Sequence, residues 1–219
     1  MRTPPRSTRS AARPARPHLR LWSAAALAAL AGACSSGPAP TTYDLTAPAG
    51  RARAALAMQV AVAEPAALQA FSGQQILVKD GSGTISFLGG GQWADNLPRL
   101  VQTRLIQTFE NASELRAVVR PGSGATADLQ LTSEIRSFEV RTPDNQALVQ
   151  ISVKLIGERT GRVLAGRIFT ARAPVAAIET PNAARALDEA LSAAMLDIVR
   201  WVSSARLVTP APAESAASG

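Results

Sequence analysis

This chain is poor in the residues with which most enzymes work. Its 219 residues include 1 cysteine, 1 histidine and 1 tyrosine, and aromatics make up 4%. The histidine, His18, falls in a stretch with the marks of a cleaved leader. Without it, and with a single thiol, Ser-His-Asp and Cys-His catalysis and the usual zinc sites are excluded. A lone cysteine also forms no internal disulfide. The two lysines are Lys79 and Lys154. A Ser152–Lys154 dyad would need the two groups to converge, yet they stand about 7 Å apart along one strand face. Asp188 and Glu189 are adjacent, so on a helix they point about 100° apart and read as a solvated face. The residues describe a non-enzyme without a cofactor or a metal.

A second absence concerns charge. The net charge of +7 and pI near 11.1 suggest nucleic acid or an anionic surface. The basicity is not spread over the chain, however. Residues 1–33 hold six arginines (Arg2, Arg6, Arg9, Arg13, Arg16 and Arg20) and no acid. Removing those six from the 23 basic residues leaves 17 against 16 acids, a net of +1 from Cys34 onward. No later segment combines clustered Lys/Arg with stacking aromatics, as nucleic-acid binding requires.

What is present begins with a leader. Residues 1–33 show a basic arm to Arg20, an apolar stretch Leu21–Ala31 and small residues after it. As a helix the apolar stretch spans roughly 16 Å, about half of a bilayer's hydrocarbon core. It is too short for a stable membrane span. Gly32 and Ala33 run directly into Cys34 in an order that resembles the lipobox of bacterial lipoproteins. Ala31 stands where leucine is usual, with Leu30 one place further out. That resemblance implies diacylglycerol on the Cys34 thiol, cleavage before it, and acylation of the new amino terminus. Two or three fatty chains, at about 0.8 kcal/mol per buried CH₂, anchor durably. Residues 34–41 then read as a lipidated cysteine and a short Pro-containing tether. Ser35 replaces the aspartate that marks inner-membrane retention in many Gram-negative lipoproteins, which by analogy points to the outer membrane.

The folded part is expected over residues 42–207, followed by a Pro/Ala-rich, disordered tail at 208–219. Short extended pieces are predicted at Thr42–Leu45 and Met58–Ala63. Gln75–Lys79 and Gly83–Leu88 form a hairpin about the turn dipeptide Asp80-Gly81. The glycines of GSGTISFLGGG (81–91) lack the Gly-Lys-Ser/Thr ending of a phosphate loop and serve as turn and flexible link. Trp93 and Ala94 make a turn, with Asp95 or Asn96 as cap for a helix whose stripe is Leu97, Leu100, Val101, Leu105, Ile106 and Phe109. Strands follow at Glu114–Arg120, Ala127–Arg141, Val149–Leu155 and Val163–Ala173. The apolar phase switches between Ile135 and Phe138, which predicts a β-bulge near Arg136–Ser137. Thr180-Pro181 reads as a cap with proline at the first position of a helix lined by Leu187, Leu191, Met195, Ile198 and Val202. The sum is one α+β domain of about seven strands: a mixed, mostly antiparallel sheet with two main helices on one face.

The order of these pieces carries a resemblance. TTYDLTAP, GTISFLGGGQWADNLPRLVQTRLIQTFENA, ADLQLTSEIRSFEV and GERTGRVLAGRIFTA follow a lipobox in sequence. Together they resemble the ABC-type transport auxiliary lipoprotein family, in which a Tyr-x-Leu strand precedes a Trp-Ala-Asp/Glu-x-Leu helix start. Membership implies a lipid-anchored, periplasmic accessory subunit that docks an MCE-type substrate-binding protein, with its permease and ATPase, at the outer membrane. The alternative is a lipoprotein that itself carries lipid in an apolar cavity; self-association is compatible with either. Among site residues, Cys34 is the lipidation point. Trp93 and Asp95 stand as interface candidates, against a core plug for Trp93, and the turn Glu158–Arg162 offers a contact surface.

Overall fold

A computed structural model describes residues 39–50, 58–112 and 117–205. From Pro40 onward they belong to one compact unit. Nine strands form one sheet: β1 (Thr41–Tyr43), β2 (Gln59–Val62), β3 (Ala66–Ala67), β4 (Gln75–Lys79), β5 (Ile85–Trp93), β6 (Ala117–Val119), β7 (Leu129–Arg141), β8 (Gln146–Gly157) and β9 (Val163–Pro174). The helices are α1 (Leu97–Ala112) and α2 (Thr180–Ser204), and a 3₁₀ turn spans Gln69–Phe71.

The long meander β7–β8–β9 is antiparallel throughout. On its other side β7 meets three parallel partners in succession: β2, β3 and β4. β6 extends the β2 branch, while β5 and then β1 extend the β4 branch. The antiparallel ladders hold most of the paired residues, yet every strand before β7, except in the β4–β5 hairpin, joins by parallel pairing.

Alternation explains the core. Val149, Ile151, Val153 and Leu155 are each at most 1% exposed, while Gln150, Ser152 and Lys154 between them are not buried. In β7, Leu129, Leu131 and Ile135 turn inward, and then Phe138 and Val140 do. The register slips between Ile135 and Ser137, so the bulge lies at Arg136. One extra residue lets a 13-residue strand keep an apolar side inward along its whole length.

The helices close this face. The α1 stripe Leu97, Leu100, Val101, Leu105, Ile106 and Phe109 is buried throughout. Helix α2 packs on β8 and β9, with Leu187, Leu191, Met195, Ile198 and Val202 at 0% exposure. Fully burying one such side chain contributes about 1.5–3 kcal/mol. Ala183, Ala184, Ala186, Ala190 and Ala194 are buried too and add small side chains to the same stripe. These side chains line the layer between helices and sheet.

Several local expectations need correction. Among the described residues the sheet has nine strands rather than about seven, and β3, only two residues long, is too short to show an alternation of its own. Residues 113–116 of the predicted strand at Glu114–Arg120 lie outside the described residues, and the strand observed is Ala117–Val119. The hairpin turn runs over five residues, Asp80–Thr84. The Asp80 carboxylate organises it by accepting from the Ser82 and Thr84 N–H groups and the Ser82 hydroxyl. The positive φ falls at Gly83. Residues 89–93, expected as link and turn, complete β5 and end at Trp93. Thr180 is the first helical residue rather than the cap; the cap position is Glu179, without a side-chain bond. The Thr180 hydroxyl instead donates to the Gly89 carbonyl at 2.7 Å and ties α2 to the sheet.

Gly91 sits where β1, β5 and α2 converge. A Cβ there would stand 2.5 Å from the Thr180 methyl and 2.6 Å from the Tyr43 ring. The expected cost of Gly91→Ala is about 1–3 kcal/mol of overpacking, read as a lower urea midpoint with unchanged slope. Gly89→Ala, where a Cβ meets nothing within 4 Å, serves as the tolerated control. Equal midpoints for the two variants would remove the steric account.

Candidate anchor and contact surfaces

The segment that follows the expected lipid anchor is held unusually firmly. β1 pairs with Gly91–Trp93, and the Tyr43 carbonyl accepts the Ala94 N–H at 2.8 Å. Leu45 is 3% exposed in the core. The Asp44 carboxylate is gripped by the Arg104 guanidinium of α1. Two residues on, the Thr46 N–H and hydroxyl donate to the two Asp188 carboxylate oxygens at 2.6 and 2.7 Å. Both helices thus hold the incoming chain.

Asp188 therefore does not belong to a merely solvated face. Nothing in the sequence pattern marks a pairing across 142 positions. The Arg104 bond holds the Asp44 carboxyl below the usual aspartate range, with partial burial opposing. The stabilisation from this pair is present above the ordinary aspartate pKa and is lost on acidification through the lowered one.

Trp93 is fully buried, with its ring edge-on to Phe138 at 5.7 Å and 78°. In this position it closes the core between β5 and β7. Asp95 stays partly exposed at the start of α1, where its carboxylate accepts the Asn96 N–H at 2.7 Å and faces Arg99 at 3.9 Å. The Asn96 carbonyl accepts the first helical bond, from the Leu100 N–H. Cys34 lies outside the described residues.

The opposite side of the sheet is mixed, with polar Gln150, Ser152 and Lys154 beside apolar Leu148 and Ile168. Ser152 and Lys154 share it, as their spacing requires, and line an open pocket of about 390 Å³ with Ala66, Ala67, Leu68, Thr132, Ser133 and Glu134. Glu139 is only 3% exposed. Burial pushes its carboxyl above the ordinary glutamate range, and the charges of Lys79 and Arg141 offset part of that. No helix among the described residues is long and apolar enough to cross a membrane.

Comparison with known proteins places this arrangement. Residues 43–199 match the model of the ABC-type transport auxiliary lipoprotein component. The chain belongs to that family. Members of that family are described as auxiliary lipoprotein components of ABC-type transport. An uncharacterised protein of Bradyrhizobium diazoefficiens is 34% identical over 176 residues, covering 76% of this chain. This chain spans about half of that relative, 47% of its length. Among solved structures, a protein of Xanthomonas campestris superposes with a TM-score of 0.69 at 24% identity, over 74% of this chain and 94% of its own. An uncharacterised protein superposes at 0.61 and 14% identity, over 75% and 100%. At such identities the superpositions establish the fold alone.

Two expectations follow from this geometry. Asp188→Ala should cost about 1–2 kcal/mol and speed amide exchange at Thr46, while amides of β8 keep their protection; unchanged Thr46 exchange would refute the clamp. Glu139 has a raised folded pKa, so its ionisation lowers stability as pH rises from the ordinary value of 4.5. Glu139→Gln should therefore raise the thermal midpoint near pH 7 and leave it little changed near pH 4. A uniform shift across that range would contradict the assignment.

Proposed function

We propose that the protein is a lipid-anchored periplasmic accessory subunit of an ABC/MCE-type lipid-transport system, held at the outer membrane through Cys34. The observation that carries this reading is the family match over residues 43–199, downstream of a leader that ends in the chain's one cysteine. Residues 34–41 serve as tether, and Ser35 favours the outer membrane.

The work assigned to the domain is positional rather than catalytic. It docks an MCE-family substrate-binding protein near the membrane that receives or supplies lipid, while the partner ATPase spends the ATP. The double grip on Asp44 and Thr46 suits that work, because a pull on the tether reaches both helices directly.

Cys34→Ala should move the protein from the membrane fraction to the soluble periplasm with its circular dichroism unchanged. Persistence of the variant in the membrane fraction would overturn the anchor. Native mass spectrometry of the purified protein separates docking from carriage: bound lipid stoichiometric with the chain, beyond its own acyl groups, would establish the carrier.

A further inference from the structure

The β8–β9 hairpin holds a charge excess that the rest of the domain does not share. From Gln146 to Pro174 the cations are Lys154, Arg159, Arg162, Arg167 and Arg172, and the one acid is Glu158. The chain from Cys34 onward nets only +1, with 17 basic residues against 16 acids. Ion pairing sharpens the contrast. Arg99, Arg104, Arg136, Arg141 and Arg200 each face a carboxylate. Among the described residues none of the five hairpin cations does. Arg167 lies 5.3 Å from the centre of the Phe169 ring, an attraction that keeps its charge beside the strand.

The same strand exposes apolar side chains. Val163 is 60% exposed, Leu164 38% and Ile168 48%. Strand β9 pairs with β8 alone, so among the described residues the outer edge of its 12 residues has no partner strand. A long edge of this kind is a template for another strand. Arginines on it disfavour a second copy of this chain, because self-pairing sets like charge against like. An extended segment rich in Asp or Glu meets the opposite condition: its backbone pairs with the edge, its carboxylates on one face meet Arg167, and its apolar residues on the other face cover Ile168.

We infer that the outer edge of β9 accepts an extended acidic segment of a partner protein as an added strand. The unpaired backbone of the edge favours a protein strand over a lipid surface, because a lipid surface has no row of amides to pair with it.

The test uses the full chain in detergent and a fluorescent nine-residue peptide of alternating Glu and Val, followed by anisotropy. Its controls are a Lys/Val peptide, a Glu/Val peptide N-methylated at alternate amides, and vesicles containing phosphatidylglycerol. The Glu/Val peptide should bind, slow amide exchange across Arg167–Arg172, and lose about tenfold or more in affinity in Arg167→Glu/Arg172→Glu. Both residues are exposed, so the double variant should keep its circular dichroism. No binding by the unaltered chain would overturn the inference, as would equal binding of the Lys/Val or N-methylated peptide. Arginine-dependent capture by the vesicles in place of the peptide would also overturn it. Concentration-dependent protection of the β9 amides without peptide would assign the edge to a second copy instead. Failure here leaves Cys34→Ala release untouched, so the two readings fall separately.

Discussion

The buried layer between α2 and the inward face of β7, β8 and β9 is the constraint from which the rest of this domain follows. A 25-residue helix lies along strands of 13, 12 and 12 residues, so one apolar stripe must stay in phase with one sheet face over an unusual length. A regular strand cannot do this once the sheet twists and its partners change along its edge. The bulge at Arg136 resolves the conflict by resetting the alternation where β7 passes from the neighbourhood of β3 to that of β4. With the phase restored, Phe138 reaches Trp93 and the β4–β5–β1 branch joins the same core.

That branch is where the first described strand joins the fold. Gly91 lets the Tyr43 ring and the Thr180 methyl approach one backbone, and the Thr180–Gly89 bond holds the start of α2 at the same place. The Asp44–Arg104 and Thr46–Asp188 contacts add a grip from each helix. A short strand of three residues would be marginal by itself. Here polar bonds from two directions supplement its ladder.

The outer parts of the sheet differ in chemistry from this interior. Ion pairs are distributed over the helices and the β7–β8 turn, while the β8–β9 hairpin keeps its positive charge unpaired. An edge strand guarded by arginine resists association with itself and still offers its backbone to a complementary strand.

Much of this was legible in the residues. Three-and-four spacing located both helices and their buried stripes, alternation located the long strands, and the phase switch located the bulge. Those signals are local, since they follow from the pitch of a helix and the pleat of a strand. The order of motifs also placed the family, a matter of sequence alone. Other features needed the folded chain. Gly91 has low strand propensity and is held in the strand because β1 pairs beside it, while Gly90, with φ 78°, falls where the β4–β5 register shifts. Thr180 carries the marks of a helix cap, yet its hydroxyl is drawn to a carbonyl 91 positions away. Asp188 looks solvated in sequence and holds Thr46 across 142 positions. Trp93 was open between surface and core until β7 came to lie against it. Contacts of this range depend on which surfaces pack together, and no local period encodes that.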